Sequence, residues 1–474
     1  MTADAVRQAL HNLRQRDLPS HAGRALTGVY ESGRPDADAL GREVIASFAA
    51  TDGVDLAAYP SWMRMEQDLV ALAGGLLDAP PGVVGSFTSG GSESTFLAVQ
   101  TARDARPELR TPNMVLPTSA SAAFAQAARY LRVEPVYVEV DRSSGRADAE
   151  AMTAALTSET ILVVASAPSY AHGVVDPVGE IAAAAAERGV RCHVDAGLGG
   201  WLLPYLRRDD PSLPAFSFEV AGVTSISVDL HKYAYAPKGA SLLLHRSAEL
   251  RRPQFFSSAV GPGYPVVSST AHGTRSGGPL AAAWAVTRFI GDRGYARLAA
   301  YVASGVQTVI HAVSQINGVQ VIGHPDASVV ALAIEGRCDV FNVCDELTSR
   351  GWHVEPQLSS GPFPRALHLV LSAATVPRLG EFLDAFKASV KTAAAAGPVR
   401  LPPELVDAVR TLDLRQFDDD TLDGLLDFID VEIGPGMVLP DRMAPLNALL
   451  DVASPPVREA IMIGVLDRQS RARR

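Results

Sequence analysis

Lysine is scarce in this chain of 474 residues. Of the 42 basic residues, 38 are arginines, and the lysines are Lys232, Lys238, Lys387 and Lys391. Any chemistry that needs a primary amine therefore has four candidates. Acids outnumber bases by 52 to 42, so we expect no broad basic surface for nucleic acid.

Cysteines and long apolar runs are also few. The three cysteines include no CxxC pair and do not suffice for a disulfide framework. No run approaches the roughly 20 apolar residues of a membrane span. The opening MTADAVRQALHNLRQR lacks the apolar centre of a secretory signal. We expect a cytoplasmic protein without a membrane anchor.

Short apolar runs alternate with alanine-rich helical stretches between about residue 60 and residue 250. The runs VVGSF, MVLP, VYVEV, ILVVAS, VRCHVD, TSISVD and ASLLLH begin at residues 83, 114, 136, 161, 190, 224 and 240. This alternation predicts an α/β fold with a mainly parallel sheet covered on both faces. Asp176 and Pro177 are predicted as the N-cap and first residue of a helix.

The chain is divided into four parts by its pattern. We predict an N-terminal helical segment at 1–58, a large domain at 59–290, a small α+β domain at 291–396, and an extension at 397–474 of unknown role. Within the extension, the run that begins at Asp418 is predicted as a solvated helix start, and we expect no metal site.

Lys232 follows directly on an apolar strand, at the edge where open α/β sheets place their ligands. Lys387 and Lys391 are four residues apart on a predicted helix, which is a typical surface spacing. Lys232 is therefore the first candidate for a Schiff-base amine and Lys238 the second. Taken alone, Lys232 also fits an ordinary residue at a strand end.

Asp195 ends the strand VRCHVD, and a carboxylate among apolar neighbours needs a cationic partner. A protonated pyridine nitrogen is one such partner, and a helix N-cap is the alternative role. The segment TSGGSES (residues 88–94) predicts a Gly-Gly turn into a helix near Ser92, where backbone N–H groups suit a phosphate. A capped helix without a ligand is the alternative there.

A phosphate cradle, a strand-end Asp and a strand-end His-Lys pair, in this order, suit pyridoxal phosphate. The segments TSGGSES, HVDAGLGG, DLHKYAYAPKG and HGTRSGG resemble the pyridoxal-phosphate group II decarboxylase superfamily, and within it the sphingosine-1-phosphate lyase branch. The resemblance spans roughly residues 20–395. It implies a fold-type-I, aspartate aminotransferase-like enzyme with a large, mainly parallel sheet domain and a smaller α+β domain.

The resemblance also implies site residues. Lys232 would form the Schiff base with pyridoxal phosphate, and Asp195 would pair with the pyridinium nitrogen. Gly91 and Ser92 would hold the phosphate, assisted by His231.

Further positions carry weaker implications. Gly273 and Thr274 would reach a neighbouring subunit's phosphate, because the family builds shared active sites in a homodimer. Tyr233 and Lys238 would contact substrate or cofactor, and His172 would line the site unless it merely structures its loop.

Two positions depart from the family pattern. Ser121 stands where the family has a histidine that stacks on the cofactor ring, and a hydroxyl cannot stack. The segment ATDGVDLAAYP lacks the Asn and His of the lyases' substrate motif, and Asp52 and Asp55 stand there instead. Substrate identity is therefore open, and Asp52 is a candidate substrate contact.

The function that the resemblance implies is a pyridoxal-phosphate-dependent carbon–carbon lyase. The expected reaction is the retro-aldol cleavage of a phosphorylated or otherwise anionic β-hydroxy amine. An amino-acid α-decarboxylase with the same cofactor is the alternative, and release of carbon dioxide instead of aldehyde separates the two. A homologue with altered catalysis is a third possibility, suggested by Ser121.

Overall fold

The computed structural model describes residues 1–19, 22–261, 263–431, 433 and 440–472. The strands are β1 (Val84–Thr88), β2 (Asn113–Pro117), β3 (Glu134–Val138), β4 (Thr160–Ser166), β5 (Arg191–Asp195), β6 (Val223–Val228), β7 (Ser241–His245), β8 (Phe256–Ser258), β9 (Val266–Ser268), β10 (Val319–Val321), β11 (Val329–Ile334), β12 (Glu355–Gln357) and β13 (Ala366–Val370). The helices are α1 (Ala3–Leu13), α2 (Pro35–Ser47), α3 (Pro60–Leu76), α4 (Gly91–Asp104), α5 (Ala122–Leu131), α6 (Ala149–Ala154), α7 (Val178–Glu187), α8 (Leu203–Asp209), α9 (Ala248–Arg251), α10 (Gly277–Val313), α11 (Val340–Ser349), α12 (Leu379–Ala396), α13 (Pro403–Thr411), α14 (Asp419–Asp427), α15 (Ala444–Val452) and α16 (Pro455–Ser470).

The large sheet has seven strands in the order β1-β7-β6-β5-β4-β2-β3. Strand β7 runs antiparallel to both of its neighbours, and the other pairs are parallel. Strands β4 and β7 are buried along their length, and β6 is buried except at Thr224, as expected for strands covered on both faces. The seven strands predicted from the sequence and the mainly parallel sheet are confirmed.

Asp176 does not cap α7, which corrects the prediction. The N-cap is Pro177, and the fully buried Asp176 carboxylate accepts hydrogen bonds from the backbone N–H groups of Ala147 (2.8 Å) and Ser166 (2.7 Å). Burial raises the pKa of Asp176 to about 6, although these two hydrogen bonds oppose the shift. The residue was mistaken for a cap because an Asp-Pro pair also suits a buried loop between a strand and a helix, here β4 and α7.

The small sheet is antiparallel, in the order β10-β11-β13-β12. Strand β12 was not predicted, because three residues that include a proline give little strand signal. Helix α10 joins the two sheets, and its helical backbone is interrupted at Gly291 (φ 65°). The interruption lies beside the boundary predicted at residue 290, and the division into domains stays a prediction.

A loop of the large sheet is fastened to the small sheet at Gly173. A Cβ atom on Gly173 (φ +72°) would lie 2.4 Å from the carbonyl oxygen of Val329, so glycine permits this approach. The N–H of Asp326 donates to the Gly173 carbonyl (2.9 Å), and Arg146 forms an ion pair with Asp326 (2.8 Å). The two sheets therefore meet in a close contact.

Helices α13–α16, called the C-terminal unit below, enclose a hydrophobic cluster of their own. Asp418 caps α14 by accepting a hydrogen bond from the N–H of Thr421, which confirms the predicted helix start. Asp345 of α11 accepts hydrogen bonds from the N–H groups of Met443 (2.9 Å) and Ala444 (3.1 Å) at the start of α15. These bonds dock the unit on the small domain. In the part of the chain that the structure describes, no helix is both long and apolar enough to cross a membrane.

Candidate active site

A cavity of about 650 Å³, called the main cavity below, lies at the carboxyl ends of β4 and β5, opposite the hairpin β12–β13. Four of the residues predicted from the sequence line it: Ser121, Asp195, Lys232 and Lys238. Because parallel strands present their ligand-binding loops at this edge, the sheet brings together residues that are far apart in the chain.

Lys232 follows β6 in a tight turn that begins at Asp229. Its Nζ atom lies 2.9 Å from Oδ2 of Asp229, while the Ser241 hydroxyl donates to Oδ1 of Asp229 at 2.6 Å. Burial lowers the pKa of Lys232, but the carboxylates of Asp229 and Asp195 outweigh burial and raise it above its ordinary value. The cavity thus holds Lys232 as an ammonium that must lose a proton before it can act as a nucleophile.

Asp195 ends β5 and faces the main cavity. Its Oδ1 atom accepts hydrogen bonds from the N–H of Gly197 (3.1 Å) and the hydroxyl of Ser227 (3.4 Å). Burial raises the pKa of Asp195, and the charge of Lys232 opposes that shift. A half-buried carboxylate with such modest partners suits a cation in the cavity.

The start of α4 lies directly against the Lys232–Asp229 pair. A Cβ atom on Gly91 would lie 2.7 Å from Oδ2 of Asp229, so only glycine fits here without displacing the carboxylate. Ser92 is exposed at the second position of the helix, where free backbone N–H groups favour an anion. The predicted phosphate cradle is therefore beside the predicted Schiff-base lysine.

His231 stands next to this cradle and has a fixed ring. Its Nδ1 atom donates to the carbonyl oxygen of Ala240 at 2.8 Å, because a carbonyl only accepts. A Cβ atom on Gly90 would lie 3.7 Å from Cε1 of this ring. Burial lowers the pKa of His231, so its Nε2 atom remains an acceptor near neutral pH.

Ser121 caps α5, where its hydroxyl accepts a hydrogen bond from the N–H of Ala123 at 3.3 Å. Its neighbours on the cavity wall are Ala120 and Ala122. This wall consists of small side chains at the place where the resemblance implies a stacking ring.

Lys238 is exposed and lines the same cavity. Its Nζ atom donates to the carbonyl oxygen of Gly28 at 3.2 Å and lies 5.2 Å from the ring centre of Tyr30. Although the residue as a whole is exposed, partial desolvation lowers the pKa of Lys238, and the charge of Lys232 adds to that effect.

Several predicted residues do not line the main cavity. Tyr233 is buried and donates its hydroxyl to the carbonyl oxygen of Leu371 at 2.6 Å. Asp52 accepts hydrogen bonds from the N–H groups of Val54 and Asp55, and its backbone forms an isolated β-bridge with Ser276, the N-cap of α10. The structure thus gives both side chains local contacts within the fold.

His172 lines a second cavity of about 260 Å³, called the side chamber below, with its ring 4.3 Å from that of Phe363. Burial lowers the pKa of His172. The side chamber shares Thr118, Ser119, Ala171 and Gln357 with the main cavity. His172 is therefore a neighbour of the site that does not contact the space around Lys232.

Gly273 and Thr274 are exposed on the loop that follows β9. They do not line the main cavity of this subunit, and their contact with a neighbouring subunit stays a prediction. The adjacent His272 contacts Glu93 of α4 at 3.0 Å, so the loop lies near the phosphate cradle.

The sequence interpretation missed Asp229, which pairs with Lys232, and residues that line the main cavity, among them Tyr170 and His368. Asp229 could have been predicted from the sequence, because it directly follows β6 and stands three residues before Lys232. Tyr170 and His368 gave no local signal, since they come from a loop and a strand of different sheets. The Nε2 atom of His368 donates to the carbonyl oxygen of Tyr170 at 2.6 Å, and burial lowers the pKa of His368 to about 4.

The arrangement fits pyridoxal phosphate. Lys232 supplies a primary amine, Asp195 faces the cavity to receive a protonated ring nitrogen, and the α4 start, close-packed at Gly91, offers N–H groups to a phosphate. Fold and site together define a fold-type-I pyridoxal-phosphate enzyme.

Comparison with known proteins agrees. The model of the pyridoxal-dependent decarboxylase conserved domain matches residues 29–259. A sphingosine-1-phosphate lyase of Dictyostelium discoideum is 36% identical over 368 residues, which cover 77% of this chain and 68% of that protein. One of Arabidopsis thaliana is 35% identical over 366 residues, which cover 75% and 66%.

The solved structure of a sphingosine-1-phosphate lyase from Burkholderia pseudomallei K96243 superposes with a TM-score of 0.79 at 31% identity, covering 83% of this chain and 92% of that one. The chain belongs to the pyridoxal-dependent decarboxylase family, in its sphingosine-1-phosphate lyase branch, and is a pyridoxal-phosphate-dependent lyase. A second model, of a pyridoxal-dependent enzyme C-terminal putative HTH domain, matches residues 403–468. The expected fold class, cofactor and enzyme type are confirmed.

Proposed function

We propose that the protein cleaves the bond between the amine-bearing and hydroxyl-bearing carbons of a phosphorylated long-chain amine such as sphingosine 1-phosphate. The products would be a long-chain aldehyde and phosphoethanolamine. The observation that carries this proposal is the placement of Lys232, Asp195 and Lys238 around one cavity in a chain similar to sphingosine-1-phosphate lyases.

When bound, pyridoxal phosphate supplies an electrophilic carbon for the substrate amine and a ring that accepts the electron pair of the broken bond. Asp195 would hold the proton on the ring nitrogen and so keep the ring electron-poor. Gly91 and Ser92 would bind the cofactor phosphate through the N–H groups at the start of α4.

Lys232 would act as acid and base in the same space. In its neutral form, its Nζ atom would take the proton of the substrate hydroxyl, and as an ammonium it would return a proton to the carbon left after the bond breaks. Asp229 would hold this amine in place at 2.9 Å and favour its protonated form.

Lys238 would recognise the negative charge of the substrate. Among the cavity-lining residues in the described part of the chain, Lys238 and Lys232 carry positive side chains. Lys232 would bind the cofactor and transfer protons, which leaves Lys238 to bind the substrate. An ammonium that is exposed and anchored only to Gly28 and the ring of Tyr30 can turn to a phosphate. Lys238 is therefore the proposed contact of the substrate phosphate.

The test is a product assay on the purified, cofactor-loaded protein. Incubation with sphingosine 1-phosphate should release long-chain aldehyde and phosphoethanolamine in equal amounts. Lys232→Ala should abolish the products and the absorbance band of the Schiff base between protein and cofactor, while Lys391→Ala on the α12 surface should change neither. Carbon dioxide release from amino acids, with no aldehyde from the phosphorylated amine, would instead establish a decarboxylase.

We also propose a homodimer with shared active sites. The hairpin β8–β9 carries exposed apolar side chains, among them Phe256 (61% exposed) and Val267 (71% exposed). Apolar groups in such number favour a covering partner. A second copy on this hairpin would carry the adjacent Gly273 and Thr274 towards a cofactor phosphate.

Light scattering should give twice the mass of the chain. Replacing Phe256 and Val267 together with serine should shift the protein towards monomer and reduce activity in parallel. A fully active monomer would exclude the shared site.

We further propose a cytoplasmic location, which the three unpaired cysteines support. Recovery of the protein in the membrane fraction would contradict this location.

A further inference from the structure

Among the residues that the structure describes, none of the C-terminal unit lines the main cavity. Residues 403–468 contain 14 acids against five arginines, with no lysine. Nucleic-acid-binding surfaces concentrate lysine and arginine, so the charge of this unit points to another role. The contacts between the unit and the small domain indicate what this role is.

Asp451, in α15, holds the loop between β12 and β13. Its Oδ1 atom accepts two hydrogen bonds from Ser359, one from the backbone N–H and one from the hydroxyl, both at 2.7 Å. Its Oδ2 atom lies 3.0 Å from Nη2 of Arg365, and its side chain is only 6% exposed. A single carboxylate of the C-terminal unit thus binds both ends of the loop 359–365.

The same hairpin forms the wall of both cavities. Glu355, Gln357 and His368 line the main cavity opposite Lys232. The loop residues Ser360 and Phe363 line the side chamber. The position of the hairpin therefore decides the width of the space beside the reacting groups.

The contacts of Asp451 with Ser359 and Arg365, called the clamp below, are themselves held in place by α11 and its N-cap. Arg365 also forms an ion pair with the buried Asp339 at 3.1 Å, and Asp339 caps α11. Asp345 of the same helix holds the start of α15. Helix α11 therefore holds both partners: its N-cap Asp339 binds Arg365 of the hairpin loop, and its Asp345 binds the start of α15 in the C-terminal unit.

We propose that Asp451 is a positioning residue: through Ser359 and Arg365, the C-terminal unit fixes the hairpin wall that shapes substrate binding. The inference rests on the proposed function only in taking the main cavity as the place where the substrate amine binds. It gives the unit a role in substrate selection.

The experiment compares the holoenzymes of Asp451→Ala, Asp451→Asn and the wild type. Asp407→Asn, which removes an exposed charge from α13, is the matched control. Hydrogen exchange should become at least fivefold faster in residues 355–365 of Asp451→Ala and stay unchanged in residues 223–232. The KM for sphingosine 1-phosphate should rise five- to tenfold with kcat and the cofactor absorbance within twofold. Asp451→Asn, which keeps one acceptor oxygen, should show smaller changes in the same direction.

A second arm separates this inference from the proposed reaction. Binding of phosphoethanolamine, followed through the absorbance of the bound cofactor, needs no turnover and should weaken severalfold in Asp451→Ala. If the wild type makes no aldehyde, the reaction is wrong, while exchange and binding still test the clamp. Ser359→Ala leaves the C-terminal unit intact and should move both readouts by less. Unchanged exchange and binding, or an equal loss of cofactor and kcat, would overturn the clamp.

Discussion

The ammonium of Lys232 lies 2.9 Å from a carboxylate oxygen of Asp229, which in turn would lie 2.7 Å from any Cβ atom at position 91. The lysine, its counter-ion and the start of α4 thus form one contiguous group. Each of them is held by a contact that leaves little space for substitution.

Asp229→Asn should make cofactor attachment possible at lower pH. The Asp229 carboxylate raises the pKa of Lys232, and only the neutral amine attacks an aldehyde. Removing the charge should shift the midpoint of the attachment rate of the apoprotein by about one pH unit or more to lower pH. Stopped-flow absorbance over a pH series measures it, with the exposed Asp104→Asn as control. A shift to higher pH would show that Asp229 does not set this pKa.

Lys238→Gln should impair the binding of phosphorylated amines. The loss of a charge-assisted contact costs about 1.5–3 kcal/mol, which corresponds to a rise in KM of roughly tenfold or more. The cofactor absorbance should stay as in the wild type. Steady-state kinetics measures the effect, and Lys387→Gln on α12 should match the wild type. An equal effect on an unphosphorylated amine would argue against a phosphate contact.

Tyr233→Phe should reduce stability and leave substrate binding unchanged. The hydroxyl of Tyr233 donates to the carbonyl oxygen of Leu371 at 2.6 Å, away from the main cavity. Its loss should cost about 1 kcal/mol, measured as a lower unfolding temperature. A KM change of fivefold or more would instead support the substrate contact that the resemblance implies for Tyr233.

Ser121→Ala should act on α5 more than on the cofactor. The hydroxyl of Ser121 caps this helix, and loss of such a cap costs about 1 kcal/mol. Cofactor affinity, titrated by absorbance, should change by less than twofold. Weakening of tenfold or more would show that the hydroxyl contacts the cofactor.

Asp176 should make the apoprotein less stable as the pH rises from 4 to 6. Its pKa is about 6 in the folded chain and 3.8 ordinarily, so the folded form binds more protons in this window. The contribution lost is up to about 3 kcal/mol. Urea unfolding of wild type and Asp176→Asn at each pH isolates it. An unfolding midpoint of the wild type that does not fall relative to the variant would contradict the assignment.

The sequence interpretation was right for features that a short stretch of residues determines. The strands are near-continuous apolar runs, and Asp195 and Lys232 stand at strand ends, where the geometry of a parallel sheet brings them together. The fold class and the core of the candidate site therefore follow from the order of residues.

The remaining parts depend on contacts between distant segments. His368 enters the cavity from the small sheet, and Asp451 holds a loop some ninety residues earlier in the chain. Asp176 was misjudged for the same reason, because its partners at Ala147 and Ser166 come from two other segments. No local pattern specifies such pairings.

The contact at Gly173 has a consequence for how substrates reach Lys232. There a Cβ atom has no space beside Val329, so the two sheets are in close contact at this point. Lys238 and Glu355, by contrast, are exposed on the cavity wall. We therefore expect the proposed substrate, an amine bearing a phosphate, to enter along this exposed wall, where a positive and a negative side chain suit its two charged ends.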